Sequence, residues 1–137
     1  MDKKESTILI DTDVLINFFD TKKLLYQVAS SAFENFKNDN LVPVISVIVI
    51  IEMLQGNKSN NDKNRIAKQL IHFQEIAVSD SIGLIAKDLI ITYSSTHGLM
   101  LGDSMIAATA LHFDIPLFTF NKKDFRFIKN LKLYEPS

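Results

Sequence analysis

Four acidic side chains stand where a carboxylate can do chemistry. Asp11 directly follows the apolar run Thr7–Ile10, and Glu52 sits within the apolar stretch Val47–Gln55. Asp103 heads the small-residue segment Gly102–Leu111, and Asp124 follows Leu117–Phe120. Carboxylates gathered in one place repel one another, and in low dielectric one or more takes up a proton. A hard divalent cation resolves that conflict. Magnesium accepts oxygen ligands, keeps several waters and needs only one or two direct carboxylates. Such an ion makes hydroxide from water and neutralises charge on a phosphoryl oxygen, which is the chemistry of phosphodiester hydrolysis. Asp13 lies beside Asp11, on the rim of any such site.

Each acid also has a plainer use. Asp11 can form an Asx-turn or a cap, and Asp103 can cap a helix. Asp124 lies among Lys122, Lys123 and Arg126 and can make a surface ion pair. Glu52 can face solvent, although Ile50, Ile51, Met53 and Leu54 leave little room for an exposed face. Four acids at corresponding places in one topology favour a shared site over four separate accidents. Other chemistries are excluded by what is missing. There is no cysteine, so thiol nucleophiles and zinc–thiolate sites are absent. His72, His97 and His112 show no H-x-x-x-H or H-E-x-x-H spacing and read as surface or helix-end residues. No G-x-S-x-G occurs, and the 4 glycines form no phosphate-binding loop.

The elements that carry these acids alternate. Thr7–Ile10 reads as a short buried strand closed by Asp11. Asp20 or Thr21 offers an N-cap for a helix over Lys22–Lys37, whose apolar face holds Leu24, Leu25, Val28, Ala32, Phe33 and Phe36. A second strand, Val42–Ser46, gives way to a helix from Val47 to Gln55, because Ser46 can cap it and Gly56 can end it. Asp62–Gln74 is helical, with Ile66, Leu70, Ile71 and Phe73 inward, and Ile76–Val78 is a short strand. Ser79–Thr96 is helical, with Gly98 as its stop. Asp103 caps a helix over Ser104–Phe113, Leu117–Phe120 is a buried strand, and Lys132–Tyr134 closes the sheet as a last strand. Apolar strands alternating with helices imply an α/β fold with a parallel sheet covered on both faces. In such sheets the site lies beyond the carboxyl ends of the strands.

At 137 residues, the chain is one domain over 1–137. Its 47% hydrophobic and 23% charged residues argue against disorder. A net charge of −1 gives no global attraction for nucleic acid, so such a partner needs a local patch or a metal. Lys122, Lys123, Arg126, Lys129 and Lys132 form the candidate patch. The polar start MDKKEST and the short apolar runs, Val47–Ile51 being the longest, imply a cytoplasmic protein with no leader and no membrane span.

Four stretches in order, ILIDTDVLI (Ile8–Ile16), SVIVIIEMLQG (Ser46–Gly56), GDSMIAATAL (Gly102–Leu111) and LFTFNKKDF (Leu117–Phe125), resemble the PIN domain. In detail they are similar to the VapC-type ribonuclease toxins of bacterial and archaeal toxin–antitoxin pairs. The resemblance implies a three-layer sandwich with a central, mostly parallel, four- to five-stranded sheet flanked by helices. It assigns catalytic and metal-binding roles to Asp11, Glu52, Asp103 and Asp124, with Thr119 and Asn121 as polar neighbours. It implies magnesium- or manganese-dependent cleavage of RNA, a homodimer, and a protein antitoxin that blocks the site. Asp13 stands where the family often has Asn, and either holds an outer-shell water or is neutral in effect. A second reading is a HAD-like phosphatase, with Asp11 as nucleophile in a D-x-D motif and Asp13 as acid/base. Against it, Val14 replaces the glycine after D-x-D and Ala107 the later acid. A PIN-like binding module without catalysis is the third; the presence of all four acids argues against it.

Overall fold

The computed structural model describes residues 6–56 and 58–136. Most of the polar start read as leaderless, together with Asn57 of the Gly56–Asn64 tract and Ser137, lies outside them. Strand β1 (Ser6–Ile10) carries the apolar run, and Ile8, Leu9 and Ile10 are fully buried. Strand β2 (Leu41–Ser46) pairs with it in parallel, Leu9 opposite Val44. Strand β3 (Gln74–Ile76) extends the sheet beyond β2, and β4 (Leu117–Phe118) lies on the other side of β1. The order β3-β2-β1-β4 is parallel throughout. Both edges of β1 are paired and helices flank the sheet, so its sequence is continuously apolar rather than alternating.

Six helices connect the strands among the described residues: α1 (Thr12–Phe18), α2 (Tyr26–Asn38), α3 (Val47–Leu54), α4 (Asn60–Leu70), α5 (Asp80–His97) and α6 (Leu101–Phe113). This is the expected α/β sandwich, with four strands in the sheet. The chain winds outward from β1 to β3, then returns to place β4 on β1's free edge. The reversal makes the β1–β4 junction the switch point, where the carboxyl ends of strands open a crevice. None of the described helices is long and apolar enough to cross a membrane.

The strand-to-helix switch at Ser46 is as expected: the Ser46 hydroxyl accepts from the Ile48 N–H at 3.1 Å. Gly98 ends α5 in the left-handed region, with φ 72°, where glycine carries no Cβ penalty. Several boundaries differ. Helix α1, absent from the sequence reading, begins directly after Asp11. Helix α2 starts at Tyr26 without a side-chain cap; Asp20 instead accepts from Lys22 N–H in the preceding turn. Leu24, expected on the apolar face, is 95% exposed. Ser59 caps α4, which ends at Leu70 and leaves Ile71 exposed rather than inward. Strand β3 accordingly starts two residues before the expected Ile76. The expected strand Lys132–Tyr134 is a single bridge, Leu133 to Leu117.

Candidate active site

Asp11 sits at the carboxyl end of β1 and caps α1, so the plainer use that the sequence offered is realised at the strand end where a site is expected. It is 5% exposed. Its Oδ1 accepts from the Thr12 N–H and its Oδ2 from the Thr119 hydroxyl, each at 2.8 Å. Thr119 directly follows β4, and its own oxygen accepts from the Asn121 N–H at 3.0 Å. The two expected polar neighbours therefore act differently: Thr119 through its side chain, Asn121 through its backbone. Asp13 lies in the first turn of α1, and its Oδ1 accepts from the Phe120 N–H at 3.3 Å. Its Oδ2 is buried without a hydrogen-bond partner among the described residues, an acceptor left to a ligand or a proton.

Asp103 does not cap its helix. Met100 occupies the cap position, and Asp103 falls in the first turn of α6, where the helix dipole favours a negative charge. The shift follows from Leu101 and Gly102 joining the helix, which moves Asp103 from the cap position to the third helical residue. Glu52 projects from α3 and is exposed, as is the neighbouring Ile51, contrary to the expectation of a crowded face. The Thr12 hydroxyl donates to Glu52 Oε1 at 2.9 Å. A Cβ on Gly102 would stand 3.1 Å from Glu52 Oε2, so the glycine leaves that oxygen its room. Asp124 ends a short 3-10 turn, Lys122–Asp124. Glu52, Asp103 and Asp124 line one open cleft of about 440 Å³, together with Gly102, His97 and Met100.

The electrostatics tie the buried and open acids together. Burial, then the charge of Asp13, raises the Asp11 carboxyl to about 7; hydrogen bonds from Thr119 and Thr12 pull it back, and Asp103 pushes it up again. Asp103 is raised to about 6, first by burial and then by Asp124, Glu52 and Asp13. Asp13 is also raised, chiefly by burial. The structure thus brings Asp11, Asp13, Glu52, Asp103 and Asp124 within electrostatic reach of one another. Among the described residues, no three His, Cys, Asp or Glu groups form a cage around an ion. The donors present are carboxylates, the hard oxygen ligands suited to a magnesium or manganese ion that keeps part of its water shell. Their chemistry and mutually unfavourable charges suit a hydrated divalent ion, although no three of them stand as a ready-made cage.

The basic patch is partly neutralised from within. Lys122 pairs with Glu135, and Lys132 pairs with Asp114 at 3.0 Å. Lys123, Arg126 and Lys129 remain exposed. His97 is the residue the sequence reading passed over. It does end a helix, as expected, but it lines the carboxylate cleft. Its position just ahead of the Gly102–Asp103 motif was the available signal. His72 and His112 are exposed and outside that lining.

A family model described as the PIN domain matches residues 8–130. Ribonuclease VapC1 of Methanocaldococcus jannaschii is 31% identical over 141 residues, which cover 98% of this chain and 92% of that protein. A toxin–antitoxin complex from Klebsiella pneumoniae has a chain 28% identical, with a TM-score of 0.72, covering 95% of this chain and 98% of that one. The structure of VapBC2 from Rickettsia felis bound to a DNA fragment from their promoter shares the fold, with a TM-score of 0.74 at 22% identity over 93% of this chain and 97% of that one. These likenesses do not favour the phosphatase reading, and Asp13, its required acid/base, is tied to the Phe120 N–H. With a match spanning the strands, the switch point and all four acids, the chain belongs to the PIN domain family.

Proposed function

We propose that this protein is a divalent-metal-dependent endoribonuclease of the cytoplasm and the toxin of a type II toxin–antitoxin pair. The observation that carries the reading is the gathering of Glu52, Asp103 and Asp124 around one cleft at the switch point, where burial and then Asp124, Glu52 and Asp13 raise the Asp103 carboxyl. The relative named Ribonuclease VapC1 supports RNA as the substrate, and the Klebsiella complex supports a small antitoxin as partner. A homodimer completes the proposal.

Asp11, Glu52, Asp103 and Asp124 are the residues proposed to hold magnesium or manganese. When bound, the ion supplies Lewis-acid polarisation of a phosphoryl oxygen and lowers the pKa of a water. The chain does the positioning. Thr12 and Thr119 fix the Asp11 carboxylate, each of whose oxygens keeps a further lone pair. Thr12 also orients Glu52, leaving Oε2 over Gly102. Asp13 holds Phe120, and so the segment leading to Asp124. Lys123 and Arg126 are proposed to meet the RNA backbone, with Lys122 contributing less because Glu135 already engages it.

The test incubates purified protein with single-stranded and structured RNA in magnesium or manganese. Wild type is expected to cleave, and EDTA or Asp11→Asn to stop it. Cleavage surviving both controls would refute the site. Hydrolysis of small phosphate esters, with Asp11 trapped as an acyl-phosphate, would hand the case to the phosphatase reading.

A further inference from the structure

The carboxylates make up only part of the cleft lining. Another part is neutral and flat. The His97 ring lies stacked on Phe127, with centroids 4.3 Å apart and planes 17° apart. Tyr93 packs against both, 5.7 Å from His97 and 5.2 Å from Phe127. Tyr93 is itself anchored, its hydroxyl accepting from the Lys129 N–H at 3.2 Å. His97 Nδ1 lies 2.8 Å from the Thr96 hydroxyl, which fixes the ring's rotation. His97 nevertheless remains exposed, so a ring backed on one side is presented on the other. Beside it, Met100 is 72% exposed and lines the same cleft.

A polyanion approaching this cleft meets acids. The overall charge is −1, and two of the five nearby basic residues are engaged by Glu135 and Asp114. Beside the grip that Lys123 and Arg126 offer, hold on RNA at the acidic cleft itself gains from a component that does not depend on charge. Base stacking on an aromatic face is such a component, tolerant of sequence because every base has a π-face. A thioether is a soft, adaptable neighbour for a base edge.

We infer that His97, backed by Phe127 and flanked by Met100, is the stacking seat for a nucleobase adjacent to the scissile phosphate. This rests on the ribonuclease reading for its substrate class. His97 here is a substrate-binding residue, and no proton transfer is assigned to it.

The experiment compares wild type, His97→Ala and His97→Phe. In steady-state cleavage of a short oligoribonucleotide, His97→Ala is expected to raise KM about 10-fold, the loss falling on KM rather than kcat. His97→Phe restores the face without the nitrogens and is expected to recover most of it. Binding is measured in parallel in EDTA, with a labelled oligoribonucleotide and an abasic strand of equal length and charge. Wild type is expected to prefer the strand with bases, and His97→Ala to lose that preference. An unchanged KM and preference in His97→Ala would overturn the inference. So would a fall in kcat at constant KM, or failure of His97→Phe to rescue. Absence of cleavage by wild type counts against the ribonuclease reading alone, because the abasic comparison still decides the stacking seat.

Discussion

Two hydroxyl–carboxylate hydrogen bonds hold this site, nearly equal in length and opposite in surroundings. Thr119 donates to Asp11 at 2.8 Å in a buried setting, joining the ends of β4 and β1. Thr12 donates to Glu52 at 2.9 Å in an exposed one, joining α1 to α3. At the buried end the carboxyl is desolvated and its pKa rises to about 7. Water can replace Thr12 beside Glu52, but nothing can replace Thr119 beside Asp11. Bond length therefore says little about which hydroxyl matters; the medium around it decides. The buried end sets the geometry of the site, and the open end leaves room for ligand and substrate.

The sharpest way to break this contrast is Asp103→Asn, which alters the residue electrostatically coupled to both ends. Cleavage is expected to fall on the order of 10³-fold, as for several kcal/mol of lost charge stabilisation. Metal-free stability should hold or rise, since one repelling charge is gone. A large drop in melting temperature without metal would contradict this.

Next in size is the pH dependence of the metal-free protein. Asp11 is raised in the fold from 3.8 to about 7. Its neutral form is favoured by folding, so this contribution is fully present below about pH 4 and lost as pH rises through about 7. The total is on the order of 4 kcal/mol, from 1.36 kcal/mol per pKa unit. Thermal melts in EDTA should fall between pH 5 and pH 8, and Asp11→Asn should flatten that slope. Magnesium or manganese should restore more stability at pH 8 than at pH 5. A slope unchanged by Asp11→Asn would place the titration elsewhere.

The direct comparison is Thr119→Val against Thr12→Val. Losing the buried hydroxyl leaves Asp11 Oδ2 without its donor and should cost about 1–3 kcal/mol by chemical denaturation. Cleavage should drop about 10- to 100-fold, the usual effect of removing a partner behind a metal ligand. Thr12→Val should cost about 0.5 kcal/mol or less, because solvent takes over the bond. Equal losses at the two positions would erase the distinction between the ends.

What the sequence revealed follows the same line. Asp11 was legible as the residue that closes β1, because an abrupt charge ends the run Ile8–Ile10, but that signal is the same for a cap, which Asp11 also is. The helix at Val47 was legible from Ser46, which caps as expected. Helix α1 was not, because its 7 residues are too few to show a period against the neighbouring strand. Asp103 was placed at the right end of the right helix but in the wrong role, since the cap, Met100, makes no side-chain bond that a sequence could announce. His97 was missed for a different reason. Its nearness to Gly102–Asp103 in sequence was only a hint; its seat at the cleft depends on how α5 meets α6 and on Phe127, thirty residues along the chain.

The switch-point topology also has a bearing on timing. Asp11 and Thr119 are separated by 108 positions, and β1 receives its second neighbour only when Leu117 and Phe118 arrive. At a synthesis rate of about 5–20 residues per second, the acceptor waits roughly 5–20 seconds for its donor. Throughout that interval the emerging polypeptide holds Asp11 but neither Thr119 nor Asp124, and Glu52 and Asp103 join it on the way. In a chain built in this order, Asp11 is made long before the hydroxyl that fixes it, so its buried setting exists only once β4 has docked on β1.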